Sequence, residues 1–179
     1  MRVLIDTNVI LDVLQSREPW YKEGQTIFLA IANHMITGCI TAKQAADIHF
    51  FSRKQFAGQE NVDEKARKIL AGIFSLFEVL DSLAEDSLNA IGINNGDYED
   101  AMMIETAARE GVDGIITRNT THFTAEQYRY THRMSLFPGI CHKGIGFSRA
   151  LREVDHLPGP SWRRSQELAL YTVRPFFRA

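Results

Sequence analysis

The fold is decided first by residues 2–14, whose sequence is RVLIDTNVILDVL. The apolar run Arg2–Ile5 is typical of a short strand, and it ends at Asp6. Apolar residues then follow the spacing i, i+1, i+4, i+5, which predicts a helix from Asn8 to Leu14. The chain therefore begins with a strand, an acidic connection and a helix.

The same alternation of strand and helix continues to about residue 117. Strands are predicted over residues 2–5, 35–40, 77–80 and 114–117, and helices over residues 8–14, 20–33, 42–58, 62–75, 82–93 and 98–110. Thr41 is a good cap for the helix after the second strand. Such alternation implies an α/β fold with a parallel sheet and helices on both faces, a three-layer α/β/α sandwich.

Length and composition point to an ordinary globular protein. The 179 residues are 45% hydrophobic and 23% charged, which suits one domain with a sizeable core. No stretch approaches the roughly 20 apolar residues that span a bilayer, and no signal peptide is expected because the chain opens on a strand. Cys39 and Cys141 are far apart, so we expect a buried reduced thiol at Cys39 and a cytoplasmic protein without membrane contact.

The charge composition of the chain changes after Phe123. Residues 1–123 carry 11 Lys and Arg against 18 Asp and Glu, whereas residues 124–179 carry 9 against 4. The basic excess suits either a phosphate-binding strip or an appendage of different composition, so charge does not decide about nucleic acid. We predict one domain over residues 1–123. We expect residues 124–179 to be an atypical segment that is either loosely packed or partly completes the sheet around residues 134–137. Limited proteolysis should cut the chain first between residues 139 and 164.

Two acidic clusters stand at boundaries between predicted elements. Asp6 closes the first strand, and Asp97-Tyr98-Glu99-Asp100 opens the last predicted helix. In a parallel sheet the carboxyl ends of the strands face one crevice, where ligands bind. Carboxylates gathered there repel one another unless a cation holds them, and Mg²⁺ or Mn²⁺ prefers oxygen ligands. The sequence thus predicts a metal-dependent phosphoryl-transfer site.

Each of these residues also has a structural interpretation. Asp6 suits an Asx turn or a helix cap, and Asp97 with Asp100 suits the N-cap and third position of a helix whose dipole favours acids. Asp47 lies among apolar neighbours, at a helix edge or in a pocket. The polar segment 117–119 could hold a ligand or satisfy its own loop. Isolated His49 and His122 are more often structural, and the sequence contains no phosphate-cradling glycine loop.

Three motifs in order resemble the PIN-domain nucleases, most closely bacterial members related to the toxins of type II toxin–antitoxin pairs. They are Val3–Asp12, Asp97–Ala101 and Ile115–Asn119, and the likeness covers residues 1 to about 123. The resemblance implies a parallel α/β sandwich in which acidic residues hold Mg²⁺ or Mn²⁺ and single-stranded RNA is hydrolysed. It also implies an antitoxin partner and a homodimer.

The resemblance assigns roles to individual positions. Asp6 matches the first acid of the family, Asp47 the second, which is usually Glu, and Asp100 the third, with Asp97 and Glu99 as accessory acids. Asn119 stands where many members have a fourth Asp. The implied metal ligands are Asp6, Asp47, Asp97 and Asp100, the implied catalytic residues are Asp6, Asp100 and Asn119, and the implied substrate-positioning residues are Asn8, Thr117 and Arg118.

Three functions are therefore open at this point. The first is a metal-dependent endoribonuclease, in which bound ions activate water and stabilise charge on the phosphate. The second is a catalytically weak PIN-like module that binds RNA or protein, favoured by Asp47 and Asn119 in place of the family's usual acids. The third is a phosphoacceptor similar to receiver domains, which is disfavoured because no predicted strand ends in Lys.

Overall fold

The computed structural model describes residues 1–94 and 96–119 and the backbone of residues 135–136. Strands and helices alternate through these ranges. In chain order they are β1 (Arg2–Ile5), α1 (Thr7–Leu14), α2 (Tyr21–Ala32), β2 (Thr37–Thr41), α3 (Ala42–Gln55), α4 (Val62–Leu76), β3 (Glu78–Leu80), α5 (Ala84–Ala90), α6 (Tyr98–Arg109), β4 (Gly114–Ile116) and β5 (Ser135–Leu136).

The five described strands form one parallel sheet in the order β3-β2-β1-β4-β5. β1 is central, and Leu4 lies opposite Cys39 on one side and Ile115 on the other. The predicted parallel α/β architecture is confirmed. The receiver-like alternative is wrong, because that fold has the strand order 2-1-3-4-5.

The two faces of the sheet are covered by different helices. On β1 the side chains of Val3 and Ile5 join a buried cluster with residues of α1, α2, α3 and α4. Leu4, one position away, joins a second buried cluster with residues of α6. Alternate residues of a strand point to opposite faces, so this division produces three layers.

Most element boundaries lie within one to three residues of their predicted positions, and the clearest difference is α5. Its predicted start at Ser82 is wrong because the Ser82 hydroxyl accepts a hydrogen bond from Lys43 N at 3.4 Å. The Asp86 carboxylate instead accepts from Leu83 N at 2.9 Å, so the helix begins at Ala84. It ends at Ala90, followed by a turn in which Gly92 N donates to Asn89 O.

The end of the chain is described only in part. Ser135–Leu136 pairs with β4 and falls inside the range where a last strand is predicted. The helix predicted over residues 161–171, the protease-sensitive region, Cys141 and His122 lie outside the described residues. Cys39 is buried and reduced. No helix in the described part of the chain has the length and apolar content needed to cross a bilayer.

Candidate active site

The sheet topology brings three chain segments to one edge. β2, β1 and β4 are parallel neighbours, so their carboxyl ends lie side by side. The N-terminus of α3 follows β2, Asp6 follows β1, and Thr117 follows β4. The pairing of β1 with β4 extends to this edge, where Asp6 N donates to Ile116 O at 2.9 Å.

Asp6 is the most buried acid of the predicted site, with 2% of its surface exposed. One carboxylate oxygen accepts from Asn8 N at 3.0 Å and caps α1, and the other accepts from the Thr117 hydroxyl at 2.7 Å. Burial raises the pKa of Asp6, and the hydrogen bonds from Thr117 and Asn8 oppose this rise without cancelling it. The carboxylate is therefore held rigidly, in a setting that favours a nearby positive charge.

The segment after β4 connects Asp6 to α6. The Thr117 hydroxyl oxygen also accepts from Asn119 N at 2.9 Å. The Asn119 side-chain amide donates to Asp100 Oδ2 at 3.3 Å. A continuous hydrogen-bonded path thus joins the first and third predicted acids through Thr117 and Asn119.

Asp97 is the N-cap of α6, which is one of the two roles that the sequence suggests for it. Its Oδ1 accepts from Glu99 N at 2.9 Å and from Asp100 N at 3.2 Å at the start of α6. These bonds fix the first turn of the helix and hence the position of Asp100. Its role as a metal ligand stays a prediction.

Asp47 pairs with a cation of the chain itself. Its Oδ2 lies 2.7 Å from the Lys43 ammonium, one turn earlier on α3, and the same ammonium lies 2.8 Å from Glu99 Oε2 on α6. Burial lowers the pKa of Lys43, but the hydrogen bonds with Asp47 and Glu99 outweigh this effect and raise it. Sequence reasoning missed Lys43, although its position one turn before Asp47 predicts an ion pair.

Gln44 was also missed, and it attaches α3 to the end of β1. Its buried amide donates to Ile5 O at 2.8 Å and to the Thr7 hydroxyl at 3.1 Å, while its oxygen accepts from Thr41 N at 2.8 Å. Together with the Thr41 hydroxyl, which accepts from Gln44 N, it forms a capping box. Thr41 thus caps α3 as predicted.

Arg118 contacts α1 and the residue before α2. Its Nε lies 3.5 Å from Asp12 Oδ2, and its guanidinium lies 4.2 Å from the centre of the Trp20 ring. Asp12 is 1% exposed, and burial raises its pKa while the charges of Arg118 and Arg17 oppose that rise. A carboxylate within the otherwise apolar segment of α1 was the sequence signal for this pair.

The oxygen set at Asp6 and Asp100 suits one hard divalent cation. Mg²⁺ is commonly held by one or two carboxylates, with waters and substrate phosphates completing its shell. In residues 1–94 and 96–119, no three His, Cys, Asp or Glu side chains converge as a metal-binding group. His49 is hydrogen-bonded to Asp63 at 3.1 Å. Asp6 and Asp100 offer the carboxylate oxygens that such an ion prefers, and Asp47 forms an ion pair with Lys43. Metal binding by each of these acids stays a prediction.

Comparisons with known proteins identify the family to which the chain belongs. One similar chain comes from the crystal structure of VapBC2 from Rickettsia felis bound to a DNA fragment from the promoter. Its TM-score with this chain is 0.48 at 16% sequence identity, and the alignment covers 76% of this chain and 97% of that chain. A chain in the DNA-bound VapBC from Salmonella typhimurium has a TM-score of 0.50 and 17% identity, covering 76% and 98%. No curated protein matches the sequence significantly. The family model of the PIN domain matches residues 2–121, and the chain therefore belongs to the PIN-domain family.

Proposed function

We propose that this protein is a metal-dependent endoribonuclease that hydrolyses phosphodiester bonds of single-stranded RNA with Mg²⁺ or Mn²⁺. The observation that carries the proposal is the hydrogen-bonded path from Asp6 through Thr117 and Asn119 to Asp100. It fixes two carboxylates from distant parts of the chain at the edge of the sheet where α/β proteins bind ligands. RNA as the substrate is supported by membership of the PIN-domain family and by the motifs described above.

The residues divide into ligands and positioning groups. Asp6 and Asp100 would hold the ion, which when bound lowers the pKa of a water and stabilises negative charge on the attacked phosphate. Thr117 is a positioning residue, because its hydroxyl donates to Asp6 and accepts from Asn119 N. Asn119 orients Asp100 through its amide.

Arg118 takes part by anchoring the loop that carries Thr117 and Asn119. Its contacts with Asp12 and Trp20 attach residues 117–119 to α1 and the start of α2. The role of Arg118 in positioning the substrate, implied by the family resemblance, stays a prediction. Asn8 contributes through its backbone, since Asn8 N donates to Asp6.

We further propose that the protein is the toxin of a toxin–antitoxin pair and works in the cytoplasm as a homodimer. The similar Salmonella structure is a DNA-bound VapBC, and the sequence motifs resemble toxin members of the family. A small DNA-binding antitoxin encoded by the neighbouring open reading frame would co-purify with this chain. Light scattering of the purified protein measures whether it is a dimer.

Cleavage of labelled single-stranded RNA tests the proposed activity. Wild-type protein should cut RNA only with Mg²⁺ or Mn²⁺, and should leave single-stranded DNA of the same sequence intact. Asp6→Asn and Asp100→Asn should each abolish cleavage while keeping the circular dichroism spectrum. Asp113→Asn is the matched control, because Asp113 lies at the opposite, amino end of β4, where it accepts from Arg2 N at 2.7 Å. Equal cleavage by wild type and both site variants at saturating metal would contradict the proposal.

A second function, RNA or protein binding with weak catalysis, has its own structural support. Lys43 neutralises Asp47, and Asn119 supplies an amide where many family members have an acid. Gel-shift and cleavage assays on the same RNA separate the two functions. Metal-independent RNA binding without cleavage by the wild type would favour this alternative.

A further inference from the structure

One face of α3 leads from the edge of the sheet to a groove near the other end of the helix. Residues spaced four, three and four positions apart lie on one helix face, and on α3 these are Lys43, Asp47, Phe50 and Lys54. The N-terminus of α3 follows β2 at the edge where the candidate site lies. Phe50 is eight residues after Ala42, or about 12 Å along the helix axis. The groove is therefore within reach of a short extended ligand that also occupies the sheet edge.

The groove lies where α3 ends and α4 begins. Its volume is about 360 Å³, and the described residues that line it are Phe50, Arg53, Lys54, Ala57 and Val62. This volume falls within the range of small-ligand sites, roughly 300–1,000 Å³. Two of the described lining residues are cations and none is an acid, although residues 1–123 carry 18 acids against 11 bases. The groove is locally basic within an acidic domain, which favours an anionic ligand.

The Phe50 ring supplies a flat surface in this groove. Its residue is 52% exposed, and the Lys54 ammonium lies 4.4 Å from the ring centre. Within residues 1–94 and 96–119, no carboxylate lies within 4.0 Å of that ammonium. A cation–π pair at an exposed site is weak, so a nucleobase can stack on the ring while the ammonium moves to a phosphate.

Arg53 adds a second cation whose internal partner is distant. Its Nε lies 4.0 Å from Asp63 Oδ1, and more than half of the Arg53 side chain is exposed. Asp63 is bound more closely by Arg67 at 2.6 Å and by His49 at 3.1 Å. The Arg53 guanidinium therefore keeps donors that a phosphate can accept.

We propose that this groove binds a nucleotide of single-stranded RNA away from the cleavage site, with its base stacked on Phe50 and its phosphate bound by Lys54 and Arg53. The inference rests on the proposed RNA substrate and adds a second contact with that RNA. Stacking on an aromatic ring tolerates every base, so the groove contributes affinity without sequence preference. An acidic protein segment would also meet the two cations. A ring beside cations matches a base beside its phosphate, however, and sites for single-stranded nucleic acid use this combination.

Fluorescence anisotropy of the full chain in EDTA measures RNA binding without metal-dependent cleavage. The probe is a labelled RNA dodecanucleotide, used as a single strand and as a duplex. Phe50→Leu keeps the apolar bulk and should weaken binding of the single strand about tenfold, whereas Phe50→Trp should keep it. Lys54→Gln should reduce the slope of log affinity against log salt concentration by about 0.7. The duplex should bind more weakly than the single strand to wild type, because its base faces are already stacked.

The matched controls are an exposed phenylalanine and an exposed lysine outside the groove. Phe74 on α4 is 46% exposed, and Lys22 is exposed on α2. Phe74→Leu and Lys22→Gln should bind the single strand like wild type and with the same salt dependence.

Equal affinity and equal salt slope in wild type, Phe50→Leu and Lys54→Gln would overturn the inference, whether or not the wild type cleaves RNA. Unchanged RNA affinity in Phe50→Leu, together with loss of a co-purifying product of the neighbouring open reading frame, would show that the groove docks a protein instead. Cleavage of the same RNA with Mg²⁺ tests the proposed function separately. Groove-dependent binding without cleavage by the wild type would support the inference and contradict the proposed nuclease activity.

Discussion

Replacement of Thr117 by valine removes the hydroxyl that connects the two halves of the candidate site. The substitution keeps the shape of the side chain but takes away a donor to Asp6 at 2.7 Å and an acceptor from Asn119 N at 2.9 Å. A hydrogen bond to a charged group contributes about 1.5–3 kcal/mol, and Asp6 is only 2% exposed. We therefore expect Thr117→Val to lower the free energy of unfolding by about 3 kcal/mol, or Tm by about 6–12 °C.

The loss should depend on pH in a defined direction. Burial already raises the pKa of Asp6, and removal of the Thr117 hydroxyl raises it further. The ionised carboxylate then destabilises the folded variant as pH rises through the carboxyl range, whereas both proteins hold a protonated Asp6 below the unfolded pKa of about 3.9. The difference in stability between Thr117→Val and wild type should thus be largest at neutral pH and shrink on acidification.

Urea unfolding between pH 3 and pH 7 measures this difference, and calorimetry with Mn²⁺ measures the metal affinity. Thr106→Val is the matched control, because the Thr106 hydroxyl donates to the buried carboxylate of Asp86 at 2.9 Å, outside the candidate site. The control should lose about 1.5 kcal/mol, the low end of the range for a hydrogen bond to a charged group, since Asp86 keeps its bonds from Arg109 and Leu83 N, and it should bind Mn²⁺ like wild type. Unchanged stability and unchanged Mn²⁺ affinity in Thr117→Val would refute the proposed role of this hydroxyl.

Two further predictions concern the buried acids. Asp86→Asn should lower the free energy of unfolding at pH 7 by about 2–4 kcal/mol, because Arg109 loses the most buried of its carboxylate partners. Burial raises the pKa of Asp86, but its hydrogen bonds outweigh this effect and lower the pKa. The stabilisation that Asp86 gives the wild type, measured by urea unfolding, should therefore disappear as pH falls below 3.8. Asp12→Asn should change the free energy of unfolding by less than about 1 kcal/mol, because the unfavourable burial of the Asp12 charge offsets the lost ion pair. The same substitution should shift the fluorescence emission of Trp20, because Arg118 is held less firmly over the Trp20 ring. The emission is measured in a Trp162→Phe background.

The fold could be predicted from the sequence because the residues that determine each strand or helix lie within that element. The apolar run Arg2–Ile5, the cap at Thr41 and the helical spacing of α4 each lie within one element, and the alternation of elements fixes a parallel sheet. The meeting of Asp6 with the segment after β4 also followed, since neighbouring parallel strands end at one edge.

Contacts made by long side chains could not be predicted in the same way. Lys43 reaches from α3 to α6, and Arg118 reaches from the end of β4 to Asp12 and Trp20. Which helix a Lys or Arg side chain meets depends on helix packing and on several torsion angles, neither of which the residue order determines. The partner of Ser82 is also set by tertiary packing, because its hydroxyl accepts a hydrogen bond from Lys43 N at the start of α3.

Capping and catalysis need not be competing explanations for the acids of this site. Asp6 caps α1 with Oδ1 and receives the Thr117 hydroxyl on Oδ2, so one carboxylate serves the helix and the site at once. Asp97 uses one oxygen for two backbone amides, which sets the first turn of α6 and so the position of Asp100. A cap is a rigid attachment, and a site that binds a metal needs its ligands held in place before the ion arrives. The helix ends at this edge therefore supply the rigidity that the proposed chemistry requires, so the observed caps at Asp6 and Asp97 are compatible with the proposed metal site.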